Sequence, residues 1–540
     1  MEFDLVISNG TVIDGTGRPR FRADLGLRSG KIAAISTDVP LSGRKRLDAS
    51  NLVLAPGFID IHSHSDWILP LPEHKDILAP LVLQGITTVV TGNCGFSPAP
   101  VTDETTGILD GISRMLRDHD FPYRWRSFRE FLETLESDGL LLNAAFLVGH
   151  GSLRSIVMGN RSGLPTLEEM EELRRLTRQS LDEGAFGFSA GLAYAPGVFA
   201  KNEELLALLQ VVAEMGAVFT VHGRAYTWVS QFYQPMFLGV PHNLRSVREL
   251  LGLARQAKVK LELSHQIFVG RNTWRTYPAV LKEIERAAGS GLDVAFDAFP
   301  YTVGNSTINV VFPEWFLDGF KKNVNDPASL RRLKREMDLL RFALGFDYSD
   351  MRLMTGEHPE LQRFEGLDFV TIARQLGLPV FEAYMHVARY GESRILLDAY
   401  SGDSDWEEPL RAALSHPLCS VMTDTILVSR GAANPASHGT FPRLLGCYSR
   451  DLGLFPLEEA VRRLATLPAE RIGLKETGRI AEGNWADLVL FDPLTVADNT
   501  TPEYADAPPS GIRAVLISGE VVAQDGEMVA KKQKGRVMRR

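Results

Sequence analysis

Only three cysteines occur in the 540 residues, Cys94, Cys419 and Cys447, and they lie far apart in the chain. So few thiols cannot build a disulfide framework, and they suit a reducing compartment; a cytoplasmic location is the expectation. The opening MEFDLVISNG lacks the basic stretch and apolar run that a secretory signal needs. No run of about 18 apolar residues is present, so no membrane-spanning helix is expected. Basic charge is not in excess either: a net charge of -9 argues against nucleic acid as the main partner. The one basic cluster, KKQKGRVMRR at 531–540, reads as a solvated, disordered tail. Low-complexity segments and repeats of about 20–50 residues are also missing, apart from a strand–helix alternation taken up below.

What is present is ordinary globular composition, 44% hydrophobic and 23% charged. Residues 2–55 read as short strands, DLVISNGTVIDG, ADLGLRSGKIAAIS and KRLDASNLVLAPG, punctuated by Asn-Gly and Ser-Gly turn pairs. The same texture returns late, in GRIAEGNWADLVLFDP and IRAVLISGEVVAQDGEMVA. Both ends are therefore expected to build one small β-sandwich domain, from 1–56 and 472–530.

The middle, 57–471, alternates apolar strands with helical patterns such as TLEEMEELRRLTRQSLDEG. Such alternation implies βα units around a parallel sheet. The candidate strands are PGFIDIHSH, ITTVVTGNCG, NAAFLVGHG, GAFGFSAGL, AVFTVHGR, VKLELSHQ, LDVAFDAFPY and CSVMTDT. Eight of them predict an α/β fold, a (β/α)8 TIM barrel. Between the last two, at about 305–415, lies far more chain than one crossover needs. Its patterns, SLRRLKREMDLLRFAL among them, predict a helical insertion near the barrel mouth.

Barrel enzymes carry their chemistry at the C-terminal strand ends. Here those ends hold His62, His64, Cys94, His150, His222, His265 and Asp424. In a strand, i and i+2 share a face, so His62 and His64 can turn toward one ion. Each of the other histidines alone reads more readily as structural; imidazole, thiolate and carboxylate together are the donors Zn²⁺ prefers. Asp424, on the strand that neighbours the first, would bind the metal, act as general base, or do both.

The segments DLVISNGTVIDGTG, APGFIDIHSHSD, GNCGFSPAP, VGHGSLR, GLAYAPG, DAFPY, HGTFPRLLG and GRIAEGNWADLVLFDP resemble the N-acyl-D-amino-acid deacylases (D-aminoacylases) of the amidohydrolase superfamily. The resemblance runs from about residue 2 to about 525 and is weakest across 225–245 and 310–410. It implies an amidohydrolase-type barrel and deacylation of N-acyl-D-amino acids by metal-activated water. It also implies that Cys94, His222 and His265 hold one tight Zn²⁺, and that His62, His64 and Asp424 form a second, weaker site. By the same resemblance, Cys94 bridges the two ions and Asp424 is the general acid/base.

The family grips its substrate's carboxylate with a lysine two positions beyond the sixth-strand histidine, plus tyrosines and a hydroxyl. Tyr194, Tyr301 and Ser306 or Thr307 match that pattern; the lysine position holds Ile267. Arg224 or Arg271 would have to replace the cation. Otherwise the substrate is a different amide, cyclic amide or lactone without a carboxylate, for which the aromatic stretch YTWVSQFYQPMF at 226–237 offers a wall. His150, Tyr194 and Tyr301 are candidate donors to the reacting carbonyl. The expected partner is a small-molecule amide, with a homo-oligomer left open. A non-enzymatic scaffold protein would have lost metal ligands, and none is missing.

Overall fold

The computed structural model describes residues 2–159, 161–391, 393–427, 430–530 and 532–540. The chain opens with β1 (Phe3–Val12), β2 (Phe21–Arg28), β3 (Lys31–Ser36), β4 (Gly43–Asp48) and β5 (Val53–Pro56). Seven barrel strands follow: β6 (Phe58–Asp60), β7 (Ile86–Thr91), β8 (Asn143–Gly149), β9 (Gly187–Gly191), β10 (Val218–His222), β11 (Lys260–Leu263) and β12 (Val294–Ala298). After β13 (Val303–Thr307), β14 (Met351–Thr355) and β15 (Arg394–Asp398) comes the eighth barrel strand, β16 (Cys419–Val421). The chain closes with β17 (Leu488–Phe491), β18 (Ile512–Ile517), β19 (Glu520–Gln524) and β20 (Glu527–Met528).

The eight candidate barrel strands all form, paired in parallel in the order β16-β12-β11-β10-β9-β8-β7-β6. Their faces are buried almost throughout, because helices cover the outside and side chains fill the inside. The seam between the first and eighth strands is closed beyond the strands proper. Asp424 N donates to His62 O at 3.0 Å, and His64 N to Thr425 O at 3.1 Å. Buried Asp60 accepts from both the backbone and the hydroxyl of Thr423. This zipper fixes Asp424 beside the two histidines, although 359 residues separate Asp424 from His64 in the chain.

Strands from both termini join in one nine-stranded sheet, β20-β19-β18-β17-β5-β1-β2-β3, with β4 on β1. Leu25, Leu27 and Ile32 from one end meet Leu488, Leu490 and Leu516 from the other in a separate apolar core. A bridge from Lys31 to Trp485 draws the far ends together.

The expected helical insertion forms and holds more than helices, and one expectation, the disordered tail, is corrected. The stretch between β12 and β16 is helical over Pro327–Leu344, Phe369–Leu376 and Val380–Ala388, but it also contains an antiparallel sheet, β13-β15-β14. Isolated strands without turn signals between them gave the sequence no period from which to read that sheet. The C-terminal segment, described over 532–540, is not a loose tail. Ala144 N donates to Arg536 O at 3.0 Å, Met538 N to Ala144 O at 2.8 Å, and Arg536 pairs with Asp487 at 2.7 Å. Arg536 also lies over the Trp485 ring, 3.8 Å from its centroid. Its backbone thus pairs with the start of β8, and its basic side chains find carboxylate partners in Asp487 and Glu136. Among the described residues no helix is long and apolar enough to cross a membrane.

Candidate metal centre

Six side chains from five barrel strand ends meet at the C-terminal mouth. Cys94 Sγ lies 3.4 Å from His62 Nε2, 3.5 Å from His265 Nε2 and 3.8 Å from His222 Nδ1. His222 Nδ1 and His265 Nε2 are 2.9 Å apart. Asp424 Oδ1 stands 3.5 Å from Nε2 of both His62 and His64. The donor atoms form two triads, His62–His64–Cys94 and Cys94–His222–His265, sharing the one sulfur.

Local backbone geometry shows how the chain aims these groups. Cys94, His265 and Asp424 adopt left-handed φ values of 54°, 33° and 51°. Non-glycine residues in that region cost of order 1–3 kcal/mol and persist only where surroundings hold them. Each sits just past the end of its strand, where a reversal swings the side chain from the strand direction into the barrel axis. A Cβ on Gly191 would stand 2.0 Å from Cys94 O, and one on Gly95 2.6 Å from Gly191 N. The GNCG turn can therefore press against the end of β9 only because both positions lack a side chain.

Electrostatics favour the anionic forms. Burial works to raise the Cys94 thiol, but His62 and hydrogen bonds from His265, His62 and His64 outweigh it, and the thiol titrates well below its ordinary range. Burial likewise opposes ionisation of Asp424, and His64, His62 and His265 overcome it, holding the carboxyl far below the usual carboxylate range. Thiolate and carboxylate facing imidazoles are what a metal ion requires of its donors.

Asp297 on β12 was not singled out from the sequence. It is buried, its Oδ2 lies 3.5 Å from His62 Nδ1, and its Oδ1 accepts from the His265 backbone N–H. It thereby orients two candidate ligands from behind. The available signal was a lone acid at an inward position of the apolar strand VAFDA.

A cavity opens onto this cluster. Tyr194 and Thr307 line it, with Asn305 and Ser306; Phe96, Met115, Leu116 and Ile426 form an apolar wall. Tyr194 Oη is 3.3 Å from His222 Nδ1, and burial, reinforced by Cys94 and Asp424, keeps its hydroxyl protonated.

Three expected substrate contacts turn elsewhere. His150 is fully buried, with Nε2 2.8 Å from Glu204 Oε1, in a triad completed by Arg154 at 3.1 Å. Arg224 pairs with Glu249 at 3.1 Å and donates to Val198 O and Ala200 O. Tyr301 donates to Asp498 at 2.9 Å with Arg443 over its ring. Each is a polar group with its own partner, Arg224 half-buried and the other two buried, which a strand-end position in the sequence does not reveal. Arg271 pairs with Asp350 at 2.8 Å. Of the aromatic stretch at 226–237, Tyr226 packs edge-on against His222 and His265, whereas Trp228 donates to Ala343 O and Tyr233 to Glu249.

A profile described as the amidohydrolase family matches residues 45–311 and 354–523. The D-aminoacylase of Alcaligenes xylosoxydans xylosoxydans is 32% identical, the match covering 100% of this chain and 98% of that protein. The N-acyl-D-glutamate deacylase of the same organism is 33% identical, over 100% and 97%. Among solved structures, an N-acyl-D-glutamate deacylase from Bordetella bronchiseptica, complexed with zinc and a phosphonate mimic of the tetrahedral intermediate, superposes with a TM-score of 0.82. It is 31% identical, with both chains fully covered.

Proposed function

The chain belongs to the amidohydrolase family, and on that footing we propose that it deacylates N-acyl-D-amino acids by zinc-dependent hydrolysis of the amide bond. The observation that carries the reading is the double triad on the Cys94 sulfur. With Zn–S near 2.3 Å and Zn–N near 2.0–2.1 Å, a tetrahedral ion keeps sulfur and nitrogen donors about 3.5 Å apart. Cys94 Sγ lies 3.4 to 3.8 Å from three imidazole nitrogens, so the residues fit the ion. Cys94, His222 and His265 would hold a tight zinc; His62, His64 and Asp424 would contribute to a second position on the same sulfur.

When bound, zinc supplies Lewis acidity toward water and the amide carbonyl. The protein's own groups manage protons and position. Ionised Asp424 would take a proton from water at Oδ1 and return it to the departing nitrogen. Tyr194, kept protonated at the cavity, would donate to the carbonyl oxygen as charge develops there. The wall of Phe96, Met115, Leu116 and Ile426 excludes water and accommodates apolar substrate atoms.

The test is a panel of N-acetyl-D-amino acids, their L-enantiomers and carboxylate-free amides, assayed with metal content measured in parallel. Turnover of the D-acids with zinc bound is expected. Cleavage of the carboxylate-free amides alone would remove the deacylase assignment.

A further inference from the structure

Ile267, where the family's carboxylate-binding lysine is expected, is buried in the core and leaves the cavity without that cation. Yet one arginine or lysine does line the cavity among its described residues: Arg394, first residue of β15. It is only 3% exposed. One terminal nitrogen, Nη2, donates to Arg117 O at 2.6 Å and Arg114 O at 3.2 Å, anchoring the head. The other two nitrogens, Nε and Nη1, are buried and have no hydrogen-bond partner. Burial works against its charge, as do Arg430 and Arg117, while Asp118 and Glu357 favour it from farther off.

A guanidinium cannot shed its proton, and a buried charge left unpaired is strongly unfavourable. The Nε–H lies on the Nη2 side of the guanidinium, so the free N–H groups of Nε and Nη1 point along different edges, and each can meet a carboxylate oxygen singly. Hydroxyls flank the residue in register: Arg394 pairs across the sheet with Thr307 on β13 and Thr355 on β14, and the Thr355 hydroxyl too is buried without a partner. Ser306 and Thr307 complete the polar side of the cavity, opposite the apolar wall.

The structure assigns Arg394, with Thr307 beside it, as the anion subsite that receives the substrate's carboxylate in place of the lysine lost at Ile267. This rests on the deacylase reading above and narrows it. One cation takes one carboxylate, so the remaining substituent of the amino acid faces Phe96, Met115, Leu116 and Ile426 and is neutral and apolar.

The experiment compares N-acetyl-D-leucine with its carboxamide, N-acetyl-D-leucinamide, on zinc-loaded wild type, Arg394→Met and Arg394→Lys. Arg394→Met is expected to lower kcat/KM for the acid about 10- to 150-fold, mainly through KM, as loss of a charge-assisted contact implies. The carboxamide should stay within about threefold, reporting an intact fold and metal site, and Arg394→Lys should recover part of the loss. An unchanged acid-to-carboxamide ratio in both variants overturns the assignment. Should wild type cleave only the carboxamide, the deacylase reading fails by itself, and N-acetyl-D-leucine is then titrated as an inhibitor. Weaker inhibition of Arg394→Met sustains the anion subsite; equal inhibition, or none, overturns it.

Discussion

Replacing Cys94 with alanine perturbs the centre more than any other single change, because its sulfur is the one atom common to both triads. Loss of His222 would remove a donor from one triad and loss of His64 from the other, whereas loss of the sulfur breaks both. Zinc held by about four donors binds with about 10–16 kcal/mol near neutral pH, so one donor's share is roughly 2.5–4 kcal/mol. That share corresponds to a Kd weakened by about two to three orders of magnitude. The cost to the fold is smaller. Cys94 is packed among Trp67, Phe96, Leu116 and Ile426, and trimming one buried sulfur there costs about 1 kcal/mol. Competition with a chromophoric chelator would give Kd, elemental analysis the stoichiometry, and circular dichroism the integrity of the fold. A folded Cys94→Ala protein that retains full metal with Kd within about tenfold of wild type would refute the shared-sulfur argument.

The other predictions separate chemistry from structure. Asp424→Asn keeps the size of the side chain and removes the proton acceptor; kcat should fall by about 10²–10⁴ while Cys94, His222 and His265 retain one metal, read by turnover and metal analysis. Near-normal turnover would exclude Asp424 as the base. Glu204→Gln leaves Arg154 buried without its counter-charge, at a cost of about 3–5 kcal/mol in denaturant unfolding at neutral pH. Burial raises the Glu204 carboxyl, but His150 and Arg154 outweigh it and the net shift is downward. A depressed folded-state value contributes stability above the ordinary glutamate pKa of about 4.3, lost as pH falls through the folded value. The wild-type advantage should therefore shrink on acidification below about pH 4.3; a gap unchanged down to pH 3 would disprove the linkage.

Much of this centre could be read before any coordinates. The strand period placed His62 and His64 on one face, βα alternation numbered the barrel strands, and the GNCG turn marked Cys94 as unusual. These are local signals, set by the two-residue repeat of strands and by backbone freedom at glycine. They also misled locally: His150, Arg224 and Tyr301 have the right residue types near the right strand ends. Their partners Glu204, Glu249 and Asp498 come from helices and loops that no local pattern ties to them.

What the chain's pattern determined by itself is the barrel and which residues of metal-binding type stand at its strand ends, since both follow from periodicities within a dozen residues. Only the tertiary structure decided which polar groups reach the cavity. Arg394 opens the strand RILLD, an unremarkable charge before an apolar run, and becomes a cavity cation because β15 pairs with β13 across 86 intervening residues, 308–393. Whether a polar side chain is satisfied or left wanting a ligand depends on what long-range packing sets against it, and that information is not local to the sequence around it.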